Sequence, residues 1–114
     1  MALYKPKGTI DAYGRGRVVD MGRLLATENI GYLVEGQISH SSTGTSYIQP
    51  DEIAYLRCDG VVEYCYEWYD FRVYGSNSQW DITYAGNTAH HSLPNITPKI
   101  QAESYMTFIQ NTIP

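Results

Sequence analysis

The chain has 114 residues, one domain's worth of sequence, and its 43% hydrophobic and 18% charged residues suit a packed core and exclude intrinsic disorder. Its net charge of −4 argues against a nucleic-acid partner, because phosphates are bound by clustered cations. No apolar run reaches the length of a membrane span, and the aromatic content rests on 11 tyrosines, which suit shallow cores and clefts.

Residues 1–16, rich in glycine, proline and lysine, read as an extended lead-in. Val18, Met21, Leu24 and Leu25 then recur at helical spacing, with Arg17, Asp20, Arg23 and Glu28 opposite, which predicts a helix over 17–29 stopped by Gly31. Residues 36–50 read as a polar, turn-rich loop. Beyond it, Cys58, Val61, Val62, Cys65, Trp68 and Tyr69 fall at i, i+3, i+4, i+7, i+10 and i+11. That is one face of a helix predicted over 58–69; its Cys65, Trp68 and Tyr69 are expected in the core, whereas Cys58, first in the helix after a polar loop, is not. Val61 and Val62 favour a strand by propensity, but a dozen residues of helical period outweigh it. Phe71–Tyr74 and Trp80–Tyr84 read as short strands, and 85–96 as irregular. Thr97 and Pro98 make an N-cap and first helical position, opening a helix expected to reach Phe108 before 109–114 fray. The order of these elements gives a single small α+β domain.

The chemistry-bearing residue is Cys58. A cysteine in the first turn of a helix faces unpaired backbone N–H groups and the positive end of the dipole, which favour thiolate over thiol. The same N–H groups can hold an oxyanion during acyl transfer, and an imidazole nearby would complete a Cys–His pair. Cys65, two turns along the apolar face, reads as packing. In a helix the two cysteines lie roughly 10 Å apart along the axis, too far for a disulfide. Their spacing, with histidines at 40, 90 and 91, makes no zinc pattern, and no cofactor is implied. His90 and His91 are the candidate bases, with His91 slightly favoured, and in an extended segment only one of them can face the cysteine. His40 reads as a solvated loop residue. Asn95 and Asp81 are weaker candidates to orient an imidazole, and Asp81 reads more simply as a solvent-facing strand carboxylate.

Arg57-Cys58-Asp59-Gly60-Val61-Val62-Glu63-Tyr64-Cys65-Tyr66 resembles the nucleophile motif of the NlpC-type papain-like cysteine peptidases, D-C-S-G-(L/F)-V-x-Y-x-Y. Arg57 and Asp59 replace the family's Asp and Ser. Upstream, Ala26 to Tyr32 is similar to the helix end before the family's G-x-P-Y turn, with Leu33 and Val34 in place of Pro and Tyr. The resemblance spans roughly Arg17 to Tyr69. It implies a papain-like domain whose nucleophile helix packs on a short antiparallel sheet. It also implies a thiol hydrolase with Cys58 as nucleophile and a histidine as base, acting on peptide or peptidoglycan-like amides in a secreted or cell-envelope setting. In permuted relatives the histidine sheet precedes the cysteine helix, which would make the base His40 or a residue outside these 114. The alternative is a non-catalytic binding or interaction module on the same core, or a fragment lacking its catalytic histidine sheet. The chain is also similar, at Cys58-Asp59 and Arg72-Val73, to transglutaminase-like Cys–His–Asp enzymes, but there the acid follows the histidine whereas Asp81 precedes His90.

Overall fold

Backbone hydrogen bonding decides where each element starts and stops. In the computed structural model, which describes residues 3–32, 36–41, 46–74, 80–87 and 97–110, strand β1 covers Leu3–Pro6. Asp11 then accepts a hydrogen bond from the Gly14 N–H at 2.7 Å and caps helix α1, Ala12–Thr27. This helix opens five residues before the expected Arg17, because the cap outweighs the low helix propensity of Gly14 and Gly16. Met21 and Leu25 are its buried residues.

Three short strands follow: β2 (Gly31–Tyr32), β3 (Ile38–His40) and β4 (Ile53–Leu56). The polar stretch 36–50 therefore holds β3 and the start of a 3₁₀ turn, Pro50–Glu52, where a loop was expected. The sheet order is β2-β4-β3, with β4 parallel to β2 and antiparallel to β3, so this sheet is mixed and not purely antiparallel. Helix α2, Cys58–Glu67, starts where its periodicity places it and stops two residues short of Tyr69. Asp70, at φ 68°, turns the chain back there, and the Asp70 and Phe71 N–H groups donate to Glu67 O and Tyr66 O.

Neither downstream strand forms. Val73 and Tyr74 lie in a turn. At 80–84 the Asp81 carboxylate accepts from Thr83 N at 2.9 Å and Thr83 Oγ1 at 2.6 Å, a local bond that competes with a ladder. What remains is one bridge between Tyr47 and Tyr84. Helix α3, Pro98–Tyr105, begins as expected, with Thr97 Oγ1 accepting from the Ile100 N–H at 3.2 Å. It ends three residues before Phe108, because strand β5, Met106–Gln110, leaves to pair antiparallel with β1. The predicted lead-in and part of the predicted fraying tail thus make a second sheet together. Thr97→Ala is expected to cost about 1 kcal/mol, read by urea denaturation.

Among the described residues the result is a small α+β domain with three α-helices and two small sheets. Its main core joins Met21 and Leu25 of α1, Ile53 and Leu56 of β4, Tyr64 and Cys65 of α2, and Ile48 and Ile82 from the loops. A second cluster sets Val73 and Tyr74 against Tyr66, Trp80 and Tyr105. No helix of the described residues is long and apolar enough to cross a membrane.

Candidate functional site at the start of helix α2

β4 delivers the chain to Arg57, which keeps extended backbone angles as the N-cap, so that Cys58 is the first residue of α2. The first intrahelical bond here runs from Val61 N to Arg57 O at 3.0 Å. The N–H groups of residues 58–60 precede it and have no partner within the helix by construction. Cys58 is exposed and Cys65 buried. Burial pushes the Cys65 thiol up to about 11, which keeps it an inert packing group.

The helix start is held by a buried polar network. Arg57 donates through Nε to Asp59 Oδ1 at 2.6 Å and through Nη2 to Oδ2 at 2.9 Å. Asp59 is 1% exposed and also accepts from Gln37 Nε2 at 3.0 Å, while its carbonyl accepts from Gln101 Nε2 of α3 at 2.9 Å. The hydrogen bond to Asp59 outweighs burial and raises the Arg57 guanidinium above its ordinary value, and the charge of Asp59 adds to this. Arg57 N donates to Gln37 O at 3.1 Å, and Gly60 lies so close to that carbonyl that a Cβ on it would meet the oxygen at 2.2 Å. α1, β2, β4 and α2 wall an apolar groove of about 340 Å³ that includes Leu25, Ile30, Leu56 and Val61, the last one turn along the helix from Cys58, which does not itself line it.

The buried face of α2 differs from the expected one. Asp59, Gly60, Glu63, Tyr64, Cys65 and Glu67 are buried, whereas Val61 and Tyr69 are each 38% exposed and Trp68 is half-buried, stacked on Tyr64. The helix is packed on two sides, so the acidic residues on the second side are enclosed and the apolar row rolls partly into solvent. Asp59 is therefore a buried ion-pair partner as well as a first-turn acid.

Of the predicted site residues, Cys58 stands as expected at an exposed helix start. His90, His91 and Asn95 lie outside the described residues. His40 is half-buried on β3 and not in a solvated loop. It pairs with Ile53, three residues from the end of β4, which puts it more than about 10 Å from Cys58 along the sheet. Asp81 is buried and not a solvent-facing carboxylate; it accepts from Thr83 and sits 3.4 Å from Arg72. Gln37, Gln101, Glu63 and Glu67 were not singled out by sequence reasoning. A signal existed only for the glutamates, each of which interrupts a run of Val, Tyr, Cys and Trp. Among the described residues, no group of three His, Cys, Asp or Glu is placed to hold a metal ion. Compared with known proteins, the chain matches no family model, no curated protein and no solved structure.

Proposed function

We propose that this chain is a papain-like cysteine hydrolase whose nucleophile is Cys58 and whose substrates are peptide amides of the cell-wall kind. The reading is carried by the placement of Cys58: an exposed thiol on the first residue of a helix, next in sequence to an arginine clamped by Asp59. In this scheme the Cys58 sulfur attacks the scissile carbonyl carbon, the oxyanion rests against N–H groups at the start of α2, and the amine leaves with a proton delivered by a histidine, His91 or His90. Water then cleaves the thioester and restores the thiol.

Iodoacetamide at pH 7 tests the nucleophile. Cys58 is expected to label stoichiometrically and at least about tenfold faster than Cys65, read by peptide mass spectrometry. Equal, slow labelling of both overturns the proposal. A second reading, a non-catalytic binding module, is favoured by the distance of His40 from Cys58. Fast labelling without turnover of peptide amides, with ligand binding unchanged in Cys58→Ala, selects that reading.

A further inference from the structure

The chain has eight lysines and arginines, and four of them border two adjoining cavities. Lys7 and Arg72 line a cavity of about 470 Å³, and Lys5 and Arg15 line one of about 330 Å³. The two share Gly8, and among the described residues no aspartate or glutamate lines either. In a chain of net charge −4 that is a marked segregation of charge. We propose that the larger cavity binds a small organic molecule through a carboxylate or phosphate group, held by Lys7 and Arg72. The site is independent of any chemistry at Cys58.

Three segments far apart in sequence build the cavity. Lys5 lies on β1, Lys7 directly follows it, and Gly8, at φ 91°, turns the chain there. A Cβ on Gly8 would meet Phe71 Cζ at 3.6 Å, so this turn sits against the segment that carries Arg72. At the end of α3, Ser104 O accepts from Lys7 Nζ at 3.3 Å. Tyr105 stands edge-on to Tyr74 with ring centres 4.5 Å apart, and both rings line the cavity. The ligand thus meets an aromatic wall as well as two cations. A volume of about 470 Å³ falls within the range of small-molecule sites, roughly 300–1,000 Å³.

The cations have donors to spare. Arg72 reaches Asp81 at 3.4 Å and Asp70 at 3.5 Å through Nη2 alone, both at the long limit of a hydrogen bond. Its Nη1 is buried and donates to nothing among the described residues. The side chains of Lys7 and Arg15 bond carbonyl oxygens, Ser104 O and Ile10 O, and Lys5 has no ion-pair partner among the described residues. Outside the described residues the sequence holds one acidic side chain, Glu35. The Asp70 side chain is 91% exposed, so water screens it. Asp81 lines a different cavity, with Tyr47 and Tyr84, and Arg72 borders both. A concave site lined by one sign of charge focuses its field and draws the opposite ion. The guanidinium offers an oxyanion paired N–H donors, and the ammonium adds a point charge.

Amide NMR titration of the full chain at pH 7 and constant ionic strength tests the site, with benzoate, phenyl phosphate and neutral benzyl alcohol as probes. Benzoate or phenyl phosphate is expected to shift the amides of Gly8, Val73 and Tyr105 saturably, and benzyl alcohol to bind at least about tenfold more weakly. Tighter benzoate assigns a carboxylate ligand, and tighter phenyl phosphate a phosphorylated one. For the tighter probe, Arg72→Gln is expected to weaken binding by about tenfold or more and Lys7→Gln by about threefold. Arg23→Gln removes an exposed cation of α1 that lines neither cavity, and is expected to change the affinity by less than about twofold. If Arg72→Gln does not fold, because Asp81 has lost its cation, Lys7→Gln decides. Shifts that do not saturate, benzyl alcohol binding as tightly as the anions, or wild-type affinity in Lys7→Gln overturn the proposal.

Discussion

Gly60→Ala is expected to lower Tm by about 10 °C, while the same substitution at Gly16 is expected to stabilise the domain by about 0.5–1 kcal/mol. Both glycines lie inside helices, where alanine is the better residue by about 1 kcal/mol, so propensity predicts the same gain twice. Surroundings separate them. A Cβ on Gly16 meets nothing within 4 Å. A Cβ on Gly60 meets Gln37 O at 2.2 Å and Gln37 C at 3.0 Å, and these are backbone atoms with no rotamer to change. Relief requires α2 and the Gln37 segment to part by about 1 Å. That movement strains Arg57 N to Gln37 O at 3.1 Å and Gln37 Nε2 to Asp59 at 3.0 Å. Overpacking of this kind costs about 1–3 kcal/mol, at the upper end when the obstacle is backbone. Paired melts followed by circular dichroism measure both variants, and a shift of the same sign in both would refute the argument.

The contrast also shows what is legible in this sequence. The start of α2 at Cys58 and of α3 at Thr97–Pro98 follow from local signals: a period sustained over a dozen residues in one case, a cap and a proline in the other. The strands have no such signal. β2 to β5 are two to five residues long, and β1 meets β5 from the opposite end of the chain, so no local alternation announces them. Trp80–Tyr84 has the alternation and no ladder, because Asp81 bonds Thr83 two residues on. At the site, the exposed thiol of Cys58 is read correctly, but the packing around it is not. The burial of Glu63 and Glu67 is not read, because the groups that enclose them, Gln37, Val73 N and Ile82 N, come from as far as 26 residues away in sequence. The motif glycine has a similarly remote cause: Gly60 is required by a carbonyl 23 positions upstream.

Asp59→Ala is expected to destabilise the domain by about 3 kcal/mol, because it removes the carboxylate that the part-buried Arg57 guanidinium grips at two points. The Arg57 side chain is 11% exposed and that of Asp59 fully buried, so water does not replace the missing partner. Gln37 Nε2 loses its 3.0 Å acceptor too and retains Tyr74 Oη at 3.4 Å. Arg57→Met leaves Asp59 with Gln37 alone among these side-chain donors and is expected to cost a similar amount. The informative variant is the double one. If each single loss is mainly the penalty of stranding the other charge, Arg57→Met combined with Asp59→Ala should cost less than the sum, with a coupling of about 0.5–3 kcal/mol in chemical denaturation. Strict additivity would mean that the two side chains act separately and that the 2.6 Å contact contributes nothing of its own. The cycle bears on Cys58 as well, since Arg57 and Asp59 flank it in sequence and fix the turn that presents its sulfur. The single variants should therefore change the iodoacetamide rate at Cys58 while Cys65, one helical row away in the core, stays protected until the domain unfolds.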